Sequence, residues 1–134
     1  MGRLRVLLAE DHELMAELLR RLLEADCDVV GIVRDGRSLV LAAEALAPEV
    51  IVSDITMPGI DGLEAARVIL KRQPDARIVF VTVRDDPSVV REALSVGALG
   101  YVLKTDASEE LITAVQAAGS GHSHLSTHVR TNLH

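Results

Sequence analysis

Residues 50–62 read VIVSDITMPGIDG, and this stretch decides the fold class. It opens with four apolar or small residues that suit a short buried strand, and Asp54 follows directly. The Met-Pro-Gly that comes next is typical of a loop. Asp61 and Glu64 then form a capping-box pattern, which predicts the start of a helix. The stretch therefore predicts a strand, a loop and a helix, with an acidic residue where the strand ends.

The same alternation of a short apolar run and a helical stretch occurs five times along the chain. Continuous apolar strands that alternate with helices indicate an α/β protein with a parallel sheet covered on both faces. The five predicted strands cover residues 4–9, 29–33, 50–53, 78–81 and 100–103.

Length and composition exclude several classes of protein. The 134 residues are enough for one domain, and 14 basic against 20 acidic residues leave a net charge of −6. Such a chain lacks the basic face of a nonspecific nucleic-acid binder, and two aromatics, Phe80 and Tyr101, exclude a base-stacking platform. Cys27 is the single cysteine, which excludes an intrachain disulfide and a cysteine metal cluster. Neither a signal peptide nor a long apolar run is found, so we expect a cytoplasmic protein without a membrane partner.

The composition changes near the C-terminus. From Gly119 onward, Gly, Ser, His and Thr replace the apolar periodicity. We therefore predict a domain over residues 1–118 and a loose linker or tail over 119–134. Three histidines of this tail, His122, His124 and His128, are expected to be solvent-exposed linker residues.

Polar residues follow four of the predicted strands. They are Glu10 and Asp11, Asp54, Thr82 and Lys104. In an open α/β sheet, ligands bind beyond the carboxyl ends of the strands, so we expect these side chains to converge. Three clustered carboxylates repel one another unless a cation lies among them, and an oxygen-only ligand set favours Mg²⁺.

A carboxylate beside Mg²⁺ can act as a phosphoryl acceptor. Asp54 lies in the middle of the set and is the best candidate acceptor. Lys104 supplies a positive charge for an anion and Thr82 supplies a hydroxyl donor, so the residues fit in-line phosphoryl transfer.

This arrangement resembles the receiver (CheY-like) domain of two-component response regulators over roughly residues 4–118. The finer pattern resembles the NarL/FixJ (LuxR-type) subfamily, through Glu-Asp-His at 10–12, KTDASEEL at 104–111 and GHSHLS at 121–126. The general likeness rests on the acidic pair Glu10-Asp11, on residues 53–62, on Thr82 and on GALGYVLK at 97–104.

The resemblance implies a flavodoxin-like, doubly wound (βα)5 sandwich whose five-stranded parallel sheet has the order 2-1-3-4-5. It implies that Asp54 accepts a phosphoryl group from a sensor histidine kinase. It also implies that Mg²⁺ is bound by Asp11, Asp54 and the backbone carbonyl of Thr56, with Glu10 acting through a water.

The resemblance further implies a switch. Thr82 would move to the phosphoryl group, Tyr101 would turn inward behind it, and Lys104 would pair with a phosphoryl oxygen. Val83 stands where the family usually has a small residue, and we expect it to narrow access to the pocket. Thr105 replaces a common proline, so the preceding peptide bond is expected to be trans.

The implied output is control of transcription through a DNA-binding helix-turn-helix effector domain outside these 134 residues. The alternative is a stand-alone receiver that acts by protein–protein interaction. Homodimer formation is a further prediction. An aspartate-nucleophile phosphohydrolase needs a second Asp at the position of Thr56, so we expect no enzyme activity beyond the domain's own phosphorylation and dephosphorylation. A flavin-binding protein is not favoured, because the chain has only two aromatic residues. A module that binds partners without phosphorylation is not favoured either, because the acidic site is complete.

Overall fold

The computed structural model describes residues 3–133, which form one parallel six-stranded sheet with the order β2-β1-β3-β4-β5-β6. The strands are β1 Leu4–Ala9, β2 Cys27–Val33, β3 Val50–Ser53, β4 Ile78–Thr82, β5 Gly100–Leu103 and β6 His124–Leu125. The helices are α1 Glu13–Glu24, α2 Gly36–Leu46, α3 Gly62–Arg72, α4 Pro87–Val96, α5 Ala107–Gly119 and α6 Thr127–Asn132, with a 3-10 turn at Lys104–Asp106. Within residues 3–133, no helix has the length and apolar character needed to cross a membrane.

The sheet has an apolar core on each face. Leu7 and Ala9 of β1 point to a cluster formed with α2, α3 and α4, whereas Val6 and Leu8 point to a second cluster formed with α1 and α5. Successive side chains of a strand point to opposite faces, so a strand covered on both sides must be apolar throughout. This explains why the strands are continuous apolar runs, and it confirms the predicted flavodoxin-like sandwich.

The strand count differs from the prediction of five. His124 and Leu125 form a sixth strand, β6, which pairs in parallel with Gly100 and Tyr101 of β5. The order 2-1-3-4-5 is retained, but β5 is an inner strand and β6 lies at the edge. A two-residue strand carries no periodicity that could be detected in the sequence.

The segment expected to be a loose tail is folded. After β6 it forms α6, whose Val129 is 1% exposed within the core that includes Tyr101. Leu125 is packed against the same core. One buried valine and one leucine among polar residues are too few to reveal a packed element. A linker role for residues 119–134 toward an effector domain stays a prediction.

The three helix starts predicted from an aspartate, at Asp61, Asp86 and Asp106, all have that aspartate in the capping position. Asp61 caps α3 by accepting a hydrogen bond from the backbone N–H of Glu64 at 2.9 Å, and Asp86 precedes α4. The Asp86 side chain makes no cap bond, and the capping box that the Asp106–Glu109 spacing predicts does not form, because the side chain of Asp106 makes no cap bond either. Its carboxylate instead lies 2.6 Å from the Nδ1 atom of His128 in α6.

A close backbone approach fixes the start of α3 beside Asp54. A Cβ atom on Gly62 would lie 2.1 Å from the backbone oxygen of Asp54, far inside contact distance. The N–H of Gly62 also donates to the carbonyl of Ile55 at 2.7 Å. Only glycine fits here, so the helix packs directly against the turn that follows β3.

Candidate functional site

One buried lysine joins the ends of three strands. Lys104 follows β5, and its Nζ atom lies 2.8 Å from Oδ2 of Asp54 and 2.7 Å from Oε1 of Glu10. Asp54 follows β3 and Glu10 follows β1. The side chains are 8%, 5% and 0% exposed, in the order Lys104, Asp54 and Glu10. The structure therefore brings together three of the residues that the sequence predicts to converge.

The two carboxylates keep the lysine charged. Burial alone lowers the pKa of Lys104, but its hydrogen bond to Asp54 and its close contact with the Glu10 carboxylate outweigh burial and raise the pKa. Asp11 adds a third carboxylate directly after Glu10. The site thus holds one ammonium against three acidic side chains, which leaves an excess of negative charge for a cation to neutralise.

Both carboxylate oxygens of Asp54 are occupied by donors. Oδ1 accepts from the backbone N–H of Ile55 at 2.7 Å and lies 3.4 Å from the N–H of Thr56. Oδ2 accepts from Lys104. The Ser53 hydroxyl donates to the backbone carbonyl of Asp54 at 2.7 Å. These contacts fix the carboxylate in one orientation at the end of β3.

The acidic pair offers oxygen atoms to a cation. In the part of the chain that the structure describes, Oε1 of Glu10 and Oδ1 of Asp11 are buried without a hydrogen-bond donor. Oε1 of Glu10 has the Lys104 ammonium at 2.7 Å as an ion pair, but without hydrogen-bond geometry. Buried oxygens without donors are costly, and hard divalent cations prefer such ligands. The residues present therefore fit Mg²⁺.

The group of potential ligands differs from the predicted set. One ligand atom each from Glu10, Asp11 and His12 lies within 4.8 Å of the others, and this group does not include Asp54. Asp54 is linked to Glu10 through Lys104. Thr56 lies two residues after Asp54 on the surface. The involvement of Asp54 and of the Thr56 carbonyl in metal binding stays a prediction.

His12 is not among the residues that the sequence predicts for the site. His12 precedes α1, its side chain is 75% exposed, and its Nδ1 atom lies 3.3 Å from Oε2 of Glu10 and 3.3 Å from Oδ1 of Asp11. Its backbone N–H also donates to Oε2 of Glu10 at 3.1 Å. Its position directly after Glu10 and Asp11 is the one feature of the sequence that could have indicated its place beside the site.

The predicted switch residues both contact the backbone of Arg84. The hydroxyl oxygen of Thr82 accepts from the Arg84 N–H at 3.3 Å, and the Tyr101 hydroxyl donates to the Arg84 carbonyl at 2.7 Å. Both side chains are buried, and the Tyr101 ring lies 6.4 Å from that of Phe80. Burial raises the pKa of Tyr101, so its hydroxyl remains a donor. The ring therefore already occupies the inward position, and Arg84 links it to Thr82.

Two departures from the family pattern can be located. Val83 follows Thr82 and is 72% exposed, so its side chain lies at the surface of the loop after β4. Its effect on access to Asp54 stays a prediction. No cis peptide bond occurs in residues 3–133, which confirms the trans bond between Lys104 and Thr105.

Comparison with protein families matches residues 6–116 to the response regulator receiver domain. The chain belongs to this family. The receiver is 35% identical to the transcriptional regulatory protein DegU of Brevibacillus brevis, over 98% of this chain and 57% of DegU. It is 38% identical to the transcriptional regulatory protein LiaR of Bacillus subtilis, over 94% of this chain and 61% of LiaR.

Solved structures agree with this assignment. A two-component response regulator of the LuxR family from an Aurantimonas species superposes with a TM-score of 0.94 at 30% identity, over 98% of this chain and 96% of that one. The isolated receiver domain of RcsB from Salmonella enterica serovar Typhimurium, solved with BeF3⁻, superposes with a TM-score of 0.91 at 27% identity. The match covers 99% of this chain and 100% of that one. The receiver spans 56–62% of the length of similar curated regulators.

Because Lys104 is buried between two carboxylates, its replacement should lower the stability of the domain. Lys104→Met removes the ammonium and leaves Glu10 and Asp54 buried without their cation. We expect the free energy of unfolding to fall by roughly 3 kcal/mol in metal-free buffer. Urea unfolding measures this loss.

Lys71→Met is the matched control, because Lys71 is the other lysine of the chain and lies exposed on α3. It should leave stability nearly unchanged. Equal stability of the two variants would show that the buried ion pairs contribute nothing.

Proposed function

We propose that this receiver domain accepts a phosphoryl group on Asp54 from a sensor histidine kinase, with the help of Mg²⁺. The observation that carries the proposal is the double restraint on Asp54, whose one oxygen is held by backbone N–H groups and the other by Lys104. A buried, oriented carboxylate is a suitable nucleophile, and the adjacent ammonium offsets the charge of an incoming phosphoryl group.

In the proposed transfer, an Asp54 oxygen forms a bond to phosphorus while the bond between phosphorus and the donor nitrogen breaks. The histidine nitrogen keeps the electron pair and takes up a proton. Lys104 keeps its own proton, because its raised pKa holds it as an ammonium, and it pairs with a phosphoryl oxygen. Turnover of outside substrates is not proposed, since Thr56 stands two residues after Asp54.

The residues that would hold Mg²⁺ are Glu10, Asp11, Asp54 and the carbonyl of Thr56. Bound Mg²⁺ supplies positive charge that lets a phosphate dianion approach the carboxylates. The buried Oδ1 of Asp11, which has no hydrogen-bond donor, supports this assignment.

Thr82 and Tyr101 are proposed as the switch. The Thr82 oxygen accepts from Arg84, which leaves its hydroxyl proton available for a phosphoryl oxygen. A pull on Thr82 would move Arg84, and the Arg84 carbonyl holds the Tyr101 hydroxyl. A change at Asp54 would in this way reach β5 and α4.

The proposed output is transcriptional control through a DNA-binding effector domain outside these 134 residues, in the cytoplasm. Two observations on relatives support it: DegU and LiaR are transcriptional regulatory proteins longer than this receiver. RcsB, a structural relative, has been solved as two dimers bound to two parallel DNAs. A homodimer is part of the proposal.

Acetyl phosphate tests the phosphoacceptor. With MgCl2 present, intact-protein mass spectrometry should show the gain of one phosphoryl group, as the acyl phosphate bond breaks and acetate leaves. Asp54→Asn should abolish the gain. Asp75→Asn, which changes an exposed acid between α3 and β4, should not. Persistent phosphorylation of Asp54→Asn would contradict the assignment.

Thermal unfolding tests the metal site. Mg²⁺ at about 100 times its dissociation constant stabilises the native state by about 2.7 kcal/mol, so the melting temperature should rise. Asp11→Asn should reduce this rise, whereas Asp26→Asn, at an exposed acid between α1 and β2, should retain it. A melting temperature that saturating Mg²⁺ leaves unchanged in the unsubstituted protein would disprove convergent metal ligands.

A further inference from the structure

The C-terminal segment, defined as residues 124–133, is bonded to the strand that carries Tyr101. Leu125 of β6 pairs in parallel with Tyr101 of β5. The backbone N–H of Ser126 donates to the carbonyl of Tyr101 at 3.0 Å, and the N–H of Leu103 donates to the Ser126 hydroxyl at 3.2 Å. The segment therefore restrains the backbone of β5 at the residue that bears the ring and two residues further on.

The same segment packs on the apolar core in which the Tyr101 ring lies. Val129 of α6 is 1% exposed and belongs to the cluster that contains Tyr101 and Val90 of α4. Leu125 and Leu133, near the two ends of the segment, pack against this cluster as well. In addition, α6 contacts both β5 and α4. Three apolar side chains of one segment thus contribute to the core that holds the ring.

The Tyr101 side chain is held inward at both of its ends. Its hydroxyl donates to the Arg84 carbonyl at 2.7 Å, and its backbone is bonded to the C-terminal segment. An outward turn of the ring would break the first of these bonds and leave a space in the core beside α6, which is unfavourable. The packed segment therefore favours the inward ring, and the inward ring favours the packed segment.

We propose that the C-terminal segment holds Tyr101 in its inward position, so that Ser126 and Val129 act as positioning residues for this side chain. A packed segment with an inward ring and a loosened segment with an outward ring are the two arrangements that this coupling separates. Any contact that favours one half of a coupled pair favours the other half by the same free energy. One consequence rests on the proposed function: the packed segment would promote phosphorylation of Asp54, and phosphorylation would tighten the segment.

Tyrosine fluorescence tests the proposal directly. The chain has one tyrosine and no tryptophan, so its intrinsic fluorescence reports on Tyr101 alone. In the full chain, Val129→Ala should raise quenching by acrylamide by at least about twofold, because the ring gains an arrangement that solvent can reach. Thr131→Ala, a substitution at an exposed position of α6, should leave quenching unchanged.

A second pair of variants leaves the apolar core intact. Ser126→Ala removes the oxygen that accepts from the Leu103 N–H, and it should also raise quenching of Tyr101. Ser123→Ala removes an exposed hydroxyl just before β6 and is the matched control. Amide exchange in β1 and β3 should stay slow in every variant, which separates a local loosening of the segment from unfolding of the domain.

Beryllofluoride, a phosphoryl mimic, tests the reciprocal effect. With MgCl2 present, it should slow amide exchange at Ser126 and Arg130, whose N–H groups donate to the carbonyls of Tyr101 and Ser126. Val129→Ala should weaken the binding of beryllofluoride by roughly threefold, since the coupling works in both directions. Thr131→Ala should bind it as the unsubstituted protein does.

Equal quenching in Val129→Ala, Ser126→Ala and the unsubstituted protein would overturn the proposal, because the position of the ring would then not depend on the segment. Higher quenching together with lost protection in β1 and β3, in both variants, would overturn it as well, because general unfolding would then expose the ring. If the unsubstituted protein does not bind beryllofluoride, the assignment of Asp54 fails, while the quenching results still decide whether the segment holds Tyr101.

Discussion

The contact of one ammonium with two carboxylates is the interaction on which this receiver depends. The ammonium of Lys104 lies 2.7 Å from Glu10 and 2.8 Å from Asp54, and all three side chains are buried. Three strands, β1, β3 and β5, must end at the same level for this contact to form. The contact therefore links the register of the sheet to the charge balance of the site. Neither carboxylate could be buried at this edge at low cost without the lysine.

The surrounding fold holds the site in place from two sides. Gly62 lets α3 approach the backbone of Asp54, and the N–H of Ile55 fixes the carboxylate. On the other side, Thr82 and Tyr101 both hydrogen-bond to the backbone of Arg84, in the loop after β4. In the proposed switch, this shared partner would couple a change at Thr82 to Tyr101.

Much of the fold and the site follows from local sequence patterns. The strand ends at Asp54 and Lys104 are visible because continuous apolar runs stop there, and the parallel sheet then brings them together. Short elements with few apolar residues cannot be recognised from the sequence. The segment of residues 124–133 depends on the packing of Leu125, Val129 and Leu133 and on backbone bonds to β5. Asp106 fits a helix cap in the sequence, although its carboxylate contacts His128 of this segment. His12 shows the same limit: it is adjacent to Asp11 in the sequence, but only the structure shows that its ring lies near the carboxylates of both Glu10 and Asp11.

A double-mutant cycle between Lys104 and Asp54 tests the central contact most directly. Unfolding free energies of Lys104→Met, Asp54→Asn and the double variant give the interaction energy after the separate effects are subtracted. The structure predicts a favourable coupling of at least about 1 kcal/mol in metal-free buffer, because the two groups touch in a buried place. A coupling near zero would contradict the claim that this ion pair organises the site.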